Sequence, residues 1–256
     1  MKIAIISDIH EDFLSLIQAE RIIRKKKCDK VICMGDIVGY SIPFYNYLEN
    51  RDAANCVKWV RENCSFTVAG NHDLYAVRKV PQSRVGNFTF PEQWYDMPFS
   101  KRAAMGKGHV WLYEDNELSP LLDEEELAFL RDLPEKIIAD ICSFKVLLSH
   151  FTYPDLSGSA CNFIYGLSDI KHHLNYMHEN ECDICFSGHM HYNGLAYANT
   201  TKFNKIGFNK KTACFDFSFF SLPPITSSAH NNGFIIWDTQ NHVIETVSLR
   251  RKLKLL

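Results

Sequence analysis

Val31-Ile32-Cys33-Met34-Gly35-Asp36-Ile37-Val38-Gly39 is an apolar, β-branched run that ends in Gly-Asp. Such a run predicts a buried strand that delivers one carboxylate to a sheet edge. Gly-Asp by itself is a common turn, and its meaning comes from the rest of the chain. Asp8 and His10 close an earlier apolar run, and Asn71 and His72 lie in Gly70-Asn71-His72-Asp73 after a third. His150 ends a fourth, and His189 and His191 follow a fifth in Gly188-His189-Met190-His191. Apolar runs that finish in oxygen and imidazole donors predict that their ends meet at one dinuclear metal site, with Asp36 between the ions.

Around these blocks the chain has 256 residues at 46% hydrophobic, enough for one sizeable core. A formal charge of −2 gives no overall pull toward nucleic acid or an anionic membrane. Apolar runs are strand-length, so no membrane span is expected. Met1 to Ile6 is too short an apolar stretch for a signal peptide and leads straight into Asp8, so a cytoplasmic location is expected. Nine cysteines, an odd number, read as reduced thiols and not as a disulfide framework. Cys182-Asp183-Ile184-Cys185 lacks the second pair that a zinc ribbon needs, and it enters a strand and not a helix, so a redox role is not expected either.

The order of periodicities begins β-α-β-α-β: strands at 2–7, 30–34 and 66–69, and helices at 12–27 and 52–63. Crossover helices between strands predict parallel pairing. The cationic run Arg24-Lys25-Lys26-Lys27 closes the first helix, where it complements the helix dipole. Residues 74–119 form a long aromatic excursion with one helix expected at 101–114. Residues 74–111 of it are expected to border the site, with Tyr40 and Ser41 on the opposite wall, and most of its aromatics to pack it onto the core. Asp123 and Glu126 resemble a capping box for a helix ending before Pro134. Strands at 137–141, 145–149 and 184–187, a helix at 169–180 and short strands from 194 to 249 predict a second, largely antiparallel sheet. The basic tail Arg250 to Lys254 reads as solvated. No linker interrupts residues 1–256, so one domain is expected.

Asp8-x-His10 and His189-x-His191 share an i, i+2 spacing, which in extended backbone places both side chains on one face, each pair a pincer on one ion. Asp8, His10, Asp36, Asn71, His150, His189 and His191 are oxygen and imidazole ligands without thiolate. That set suits manganese foremost, with iron, zinc, nickel or cobalt as alternatives, over calcium or a structural zinc. One carboxylate shared between two cations holds them roughly 3.5–4 Å apart. His109, His172, His173, His178, His230 and His242 read as structural.

In this order the blocks resemble the calcineurin-like metallophosphoesterases. The resemblance spans residues 8–191. It implies a four-layer α/β/β/α sandwich and two divalent metal ions. By resemblance, one ion takes Asp8, His10, Asp36 and His191, and the other takes Asp36, Asn71, His150 and His189. The implied activity is hydrolysis of a small phosphomonoester or phosphodiester, nucleotide-like esters included, by metal-activated water. In that chemistry His72, next to Asn71, is expected to protonate the leaving oxygen or stabilise the transition state, and Asp73 to orient His72. Gly35-Asp36-Ile37-Val38-Gly39-Tyr40 and Phe129-Leu130-Arg131-Asp132-Leu133-Pro134 are similar to the compact bacterial-type phosphodiesterases and phosphatases of that superfamily. The Arg with which protein-phosphatase members clamp phosphate is absent from this run, and Asp73 stands where they carry Glu, which argues against a phosphoprotein substrate. Phe151 replaces a usual Gly, and Leu222-Pro223-Pro224-Ile225 replaces a usual Asn-Pro-Gly-Ser. The alternative is a non-catalytic scaffold of the same fold in a protein assembly. The full ligand set and His72 favour the enzyme, and the lack of a long basic stripe disfavours a nuclease.

Overall fold

The computed structural model describes residues 1–228 and 231–249. The basic tail 250–254 and His230 lie outside them. In chain order the strands and α-helices are β1 (Lys2–Ile6), α1 (Phe13–Lys25), β2 (Lys30–Cys33), β3 (Tyr40–Ser41), α2 (Ala53–Asn63), β4 (Phe66–Thr67), α3 (Asn71–Ala76), α4 (Phe99–Gly106), β5 (Glu117–Leu118), α5 (Glu124–Asp132), β6 (Lys136–Ile141), β7 (Phe144–Ser149), α6 (Leu167–Glu179), β8 (Ile184–Ser187), β9 (Leu195–Ala198), β10 (Phe203–Ile206), β11 (Lys211–Ala213), β12 (Phe219–Ser221), β13 (Gly233–Asp238) and β14 (Val243–Ser248). No helix among the described residues is long and apolar enough to cross a membrane.

Two six-stranded sheets carry the fold, in the orders β11-β14-β13-β1-β2-β4 and β10-β9-β12-β8-β7-β6. The alternation of β1 shows how they stack. Ala4 and Ile6 face outward onto Leu16, Ala19, Val57 and Leu130 of α1, α2 and α5. Ile3 and Ile5 face inward onto Val146, Leu148, Phe186 and Phe220 of the second sheet. On the far side of that sheet Leu147, Cys185 and Phe219 meet Ile170, Leu174 and Met177 of α6. The result is helix, sheet, sheet, helix. Both faces of each sheet are buried, which is why the strands read as near-continuous apolar runs.

The two sheets do not divide the chain into halves. β13 and β14 return to the first sheet, with β13 antiparallel to β1. The second sheet, expected to be largely antiparallel, holds parallel pairs β7/β8 and β8/β12. Both sheets are therefore mixed. Pattern alone fixes which residues are buried but not which neighbour a strand takes.

α1 and α5 start where capping predicts: Asp12 accepts from the Ser15 N–H, and Asp123 and Glu126 close a reciprocal box. The helix expected at 101–114 is α4 and ends at Gly106, with Gly108 at φ +79° just beyond. Past that break Val110 and Leu112 turn into a small core of the excursion, with Val85, Trp94 and Ala160. β5 pairs with β3, which clips the end of the excursion beside the strand-end loop of Asp36.

Candidate metal centre

The loops that carry the donor blocks all leave the same end of the two sheets. Asp8 and His10 follow β1, Asp36 follows β2, Asn71 opens α3 just after β4, His150 follows β7, and His189 and His191 follow β8. Backbone bonds stitch the loops together: Asp8 N–H donates to Gly35 O, His10 N–H to Asp36 O, and Gly188 N–H to His150 O.

The side chains gather in three overlapping groups whose ligand atoms lie within 4.8 Å of one another: Asp8, His10 and His191; His10, Asp36 and His72; Asp36, His150 and His189. Asn71 joins the last group, its Oδ1 3.0 Å from His189 Nδ1. Asp36 is common to two groups. Its Oδ2 lies 3.0 Å from His150 Nε2 and 3.7 Å from His10 Nε2, while its Oδ1 accepts the His72 N–H at 2.9 Å. Asp8 Oδ1 is 3.2 Å from His191 Nε2 and 3.8 Å from His150 Nε2.

The extended pincers are not how the pairs are built. Asp8, His10, Asp36, His189 and His191 all have φ between +47° and +66°. Left-handed residues turn the chain at each step, so His189 and His191 part company and join different groups. Such backbone costs of order 1–3 kcal/mol per residue and persists where the surrounding structure over-determines it.

The donors fit divalent cations. His10 Nδ1 donates to Gly39 O at 2.9 Å and His150 Nδ1 donates to Met34 O at 2.6 Å. Each ring thereby turns a lone pair on Nε2 inward, the arrangement of a metal-ligating histidine. His10 Nε2 faces His191 Nε2 at 3.2 Å, and the buried His150 Nε2 has no aligned hydrogen bond. Without a cation the charges must settle among themselves. Burial works against a proton on His150, yet Asp36 and Asp8 hold it there, with the pKa raised to about 10. Burial and the neighbouring His72 push His10 down to about 3. Burial alone would raise Asp8, but His191 and His150 hold it below the usual carboxylate range. A cation in this space replaces the proton on His150, so binding is proton-coupled.

His72 remains close to this group, its ring 4.8 Å from that of His10. Asp73 does not orient it. Both Asp73 oxygens are taken by backbone, accepting from the N–H groups of Asp36, Ile37, Val38 and Gly70, so Asp73 clamps the Asp36 loop onto the start of α3. The partner of His72 is Glu117, whose Oε2 is 2.5 Å from Nδ1. Burial opposes charge on His72, but Glu117 and Asp36 raise its pKa to about 9. Glu117 has no motif around it and reaches the site only through the β3–β5 pairing. Tyr113 was equally silent in sequence. Its hydroxyl accepts from Asn71 Nδ2 at 2.8 Å and so turns Asn71 Oδ1 toward His189. The excursion borders the site through Tyr113 and Glu117, both beyond the 74–111 stretch expected to do so. Tyr40, expected on the opposite wall, is buried against Tyr45 and Tyr47, and it is Tyr45 that faces the His10 ring at 5.1 Å.

The two departures noted in sequence occupy supporting positions. The Phe151 ring lies 4.6 Å from that of His189. The loop after β12 donates Ile225 N–H to Ser7 O and Thr226 N–H to Asp8 O, backing the first donor pair. Gly158, at φ +80°, comes so close that a Cβ there would stand 2.6 Å from His189 Nδ1. All nine cysteines are free, and Cys185 Sγ lies 3.1 Å from His173 Nε2, a structural contact.

The chain is 24% identical over 267 residues to an uncharacterized protein of Methanocaldococcus jannaschii, covering 98% of this chain and 88% of that one. Among solved structures it resembles a metallophosphoesterase from Sphaerobacter thermophilus at TM-score 0.67 and 18% identity, covering 98% of this chain and 89% of that one. It also resembles a hypothetical protein of Pyrococcus horikoshii OT3 at TM-score 0.61 and 14% identity, over 99% and 89% of the two chains. At these identities the likeness is one of fold. Residues 1–193 match the calcineurin-like phosphoesterase family, and the chain belongs to that family.

Proposed function

We propose that the protein is a dinuclear-metal-dependent hydrolase of small phosphate esters, mono- or diesters, with manganese as its foremost metal. Family membership supports a phosphoesterase. The observation that carries the finer reading is the Asp36 carboxylate, which belongs to two of the donor groups and has its Oδ2 3.0 Å from the buried His150 Nε2, a nitrogen without an aligned hydrogen bond. Asp8, His10, Asp36 and His191 would hold one cation, and Asp36, Asn71, His150 and His189 the other. A bound pair of cations supplies charge to the phosphoryl oxygens and an acidified water. The chain supplies the rest. Gly39 O and Met34 O fix the imidazole tautomers, and Tyr113 fixes the Asn71 amide. Glu117 holds a proton on His72 Nδ1 and keeps the ring charged, so that His72 can stabilise the phosphoryl oxygens or give a proton to the leaving oxygen.

The test is hydrolysis of chromogenic and alkyl phosphate esters by the manganese-loaded protein, wild type against His72→Ala. The expected result is a kcat loss of roughly 10²–10⁴ with metal content unchanged, smallest for the phenolic ester, whose leaving group needs little protonation. An equal loss across esters assigns His72 to electrostatic stabilisation instead. Loss of metal would make it a ligand, and an inactive wild type with every ester and metal would remove the enzymatic reading.

A further inference from the structure

One buried ring beside the candidate metal residues plays no part in the chemistry proposed above. Tyr45 lies in the loop that follows β3, its ring 5.1 Å from that of His10 and tilted 37° to it. His72 stands edge-on to the same imidazole at 4.8 Å. Tyr45 and His72 therefore both border the histidine that is common to the Asp8 group and one of the Asp36 groups. The loop holds the Tyr45 ring in place. Its N–H donates to Ser41 O at 3.1 Å, and its carbonyl accepts the Tyr40 hydroxyl at 2.9 Å. Tyr40 and Tyr47 pack on the ring at 5.7 and 5.5 Å, and Leu118 of β5 packs against this cluster. Tyr47 donates its hydroxyl to His10 O, so the loop is bonded to the backbone of the residue that Tyr45 faces.

The three tyrosines differ in what their hydroxyls do. Those of Tyr40 and Tyr47 donate to backbone carbonyls. The Tyr45 hydroxyl makes no hydrogen bond to any described residue, although Tyr45 is only 9% exposed. Burial above all, then Tyr47, Asp8, Asp36 and Glu117, push the phenol well above its usual value, which puts its oxygen within electrostatic reach of both carboxylates of the candidate centre and of the partner of His72. A buried hydroxyl of this kind calls for a partner that the chain itself does not supply. We propose that the Tyr45 hydroxyl donates a hydrogen bond to a phosphoryl oxygen of the substrate and so binds the phosphate together with His72. The proposal rests on the phosphoesterase reading above. An anionic oxygen held among these residues gives the hydroxyl the acceptor it lacks, and hydrogen bonds to charged acceptors are the strong ones. Gly35 to Tyr40 holds no Arg to clamp phosphate, and Tyr45 places a neutral donor just beyond that run.

Inorganic phosphate is the probe. Its binding to the manganese-loaded protein is measured by calorimetry in wild type and in Tyr45→Phe, which keeps the ring on His10 and removes only the hydroxyl. Metal content and kcat/KM for a chromogenic phosphate ester are measured alongside. The expected result is phosphate binding and kcat/KM both weakened roughly 10- to 100-fold in Tyr45→Phe, with metal content unchanged. Equal phosphate binding by the two proteins overturns the proposal. So does a loss of metal in Tyr45→Phe, which would assign the hydroxyl to the metal residues, and so does a wild type that binds no phosphate. Tyr45-dependent phosphate binding in a protein that hydrolyses no ester keeps the hydrogen bond and removes the hydrolase reading, so the two failures are distinct.

Discussion

Asp36 meets several demands with one carboxylate. Oδ1 anchors the first turn of α3, and Oδ2 faces both His150 and His10. The residue is held at φ +52° by a clamp that Asp73 makes on three consecutive N–H groups beginning with its own. Asp36→Ala is expected to bind fewer than two ions and to lose turnover; elemental analysis that still finds two ions per chain would place the bridge elsewhere. His173 shows what an imidazole does when no metal is involved. Its Nδ1 accepts the Tyr153 N–H, which leaves the proton on Nε2, directed at Cys185 Sγ. Both nitrogens are satisfied and the ring is a core residue, as its position outside the donor blocks implies.

Among the elements, the short β3–β5 pair has an influence out of proportion to its size. It is the hinge by which the excursion reaches the candidate metal residues. Register places Glu117 opposite Ser41 and so beside His72, with the Glu117 side chain only 1% exposed. The carboxylate sets both the orientation and the charge of the imidazole. Glu117→Gln, which keeps an acceptor but removes the charge, is expected to lower kcat roughly 10- to 100-fold with KM and metal content little changed. A rise in KM alone would assign Glu117 to substrate binding. Leaving-group dependence resembling that of His72→Ala would confirm that the two act together.

For the molecule as a whole, the buried histidines shape its acid stability. Burial lowers His173 to about 3, against 6.5 when exposed. Its folded pKa lies below the unfolded one, so between these values the unfolded chain binds more protons. The stability that neutral His173 contributes is intact above pH 6.5 and is lost as pH falls toward 3, at up to about 1.4 kcal/mol per pH unit. Urea unfolding from pH 7 to 5 is expected to show a flatter pH dependence in His173→Gln than in wild type. Parallel curves would mean that the ring does not titrate on unfolding.

The ends of the apolar runs, the residue types there and their order were all legible in the chain, because burial and periodicity are local signals and a donor at a strand end needs no partner to be recognised. β1, β2, α1, α2 and α5 were legible for the same reason. Strand neighbours were not: β13 returns to β1 from more than two hundred residues away, and nothing in its alternation distinguishes that edge from another. The left-handed backbone at Asp8, His10, Asp36, His189 and His191 was also invisible, since those conformations are imposed by bonds between loops and not by the residues themselves. Glu117 and Asp73 make the same point. Each is a carboxylate near a histidine in sequence or space, and only the packing of the excursion and the direction of backbone N–H groups determined which one His72 would meet.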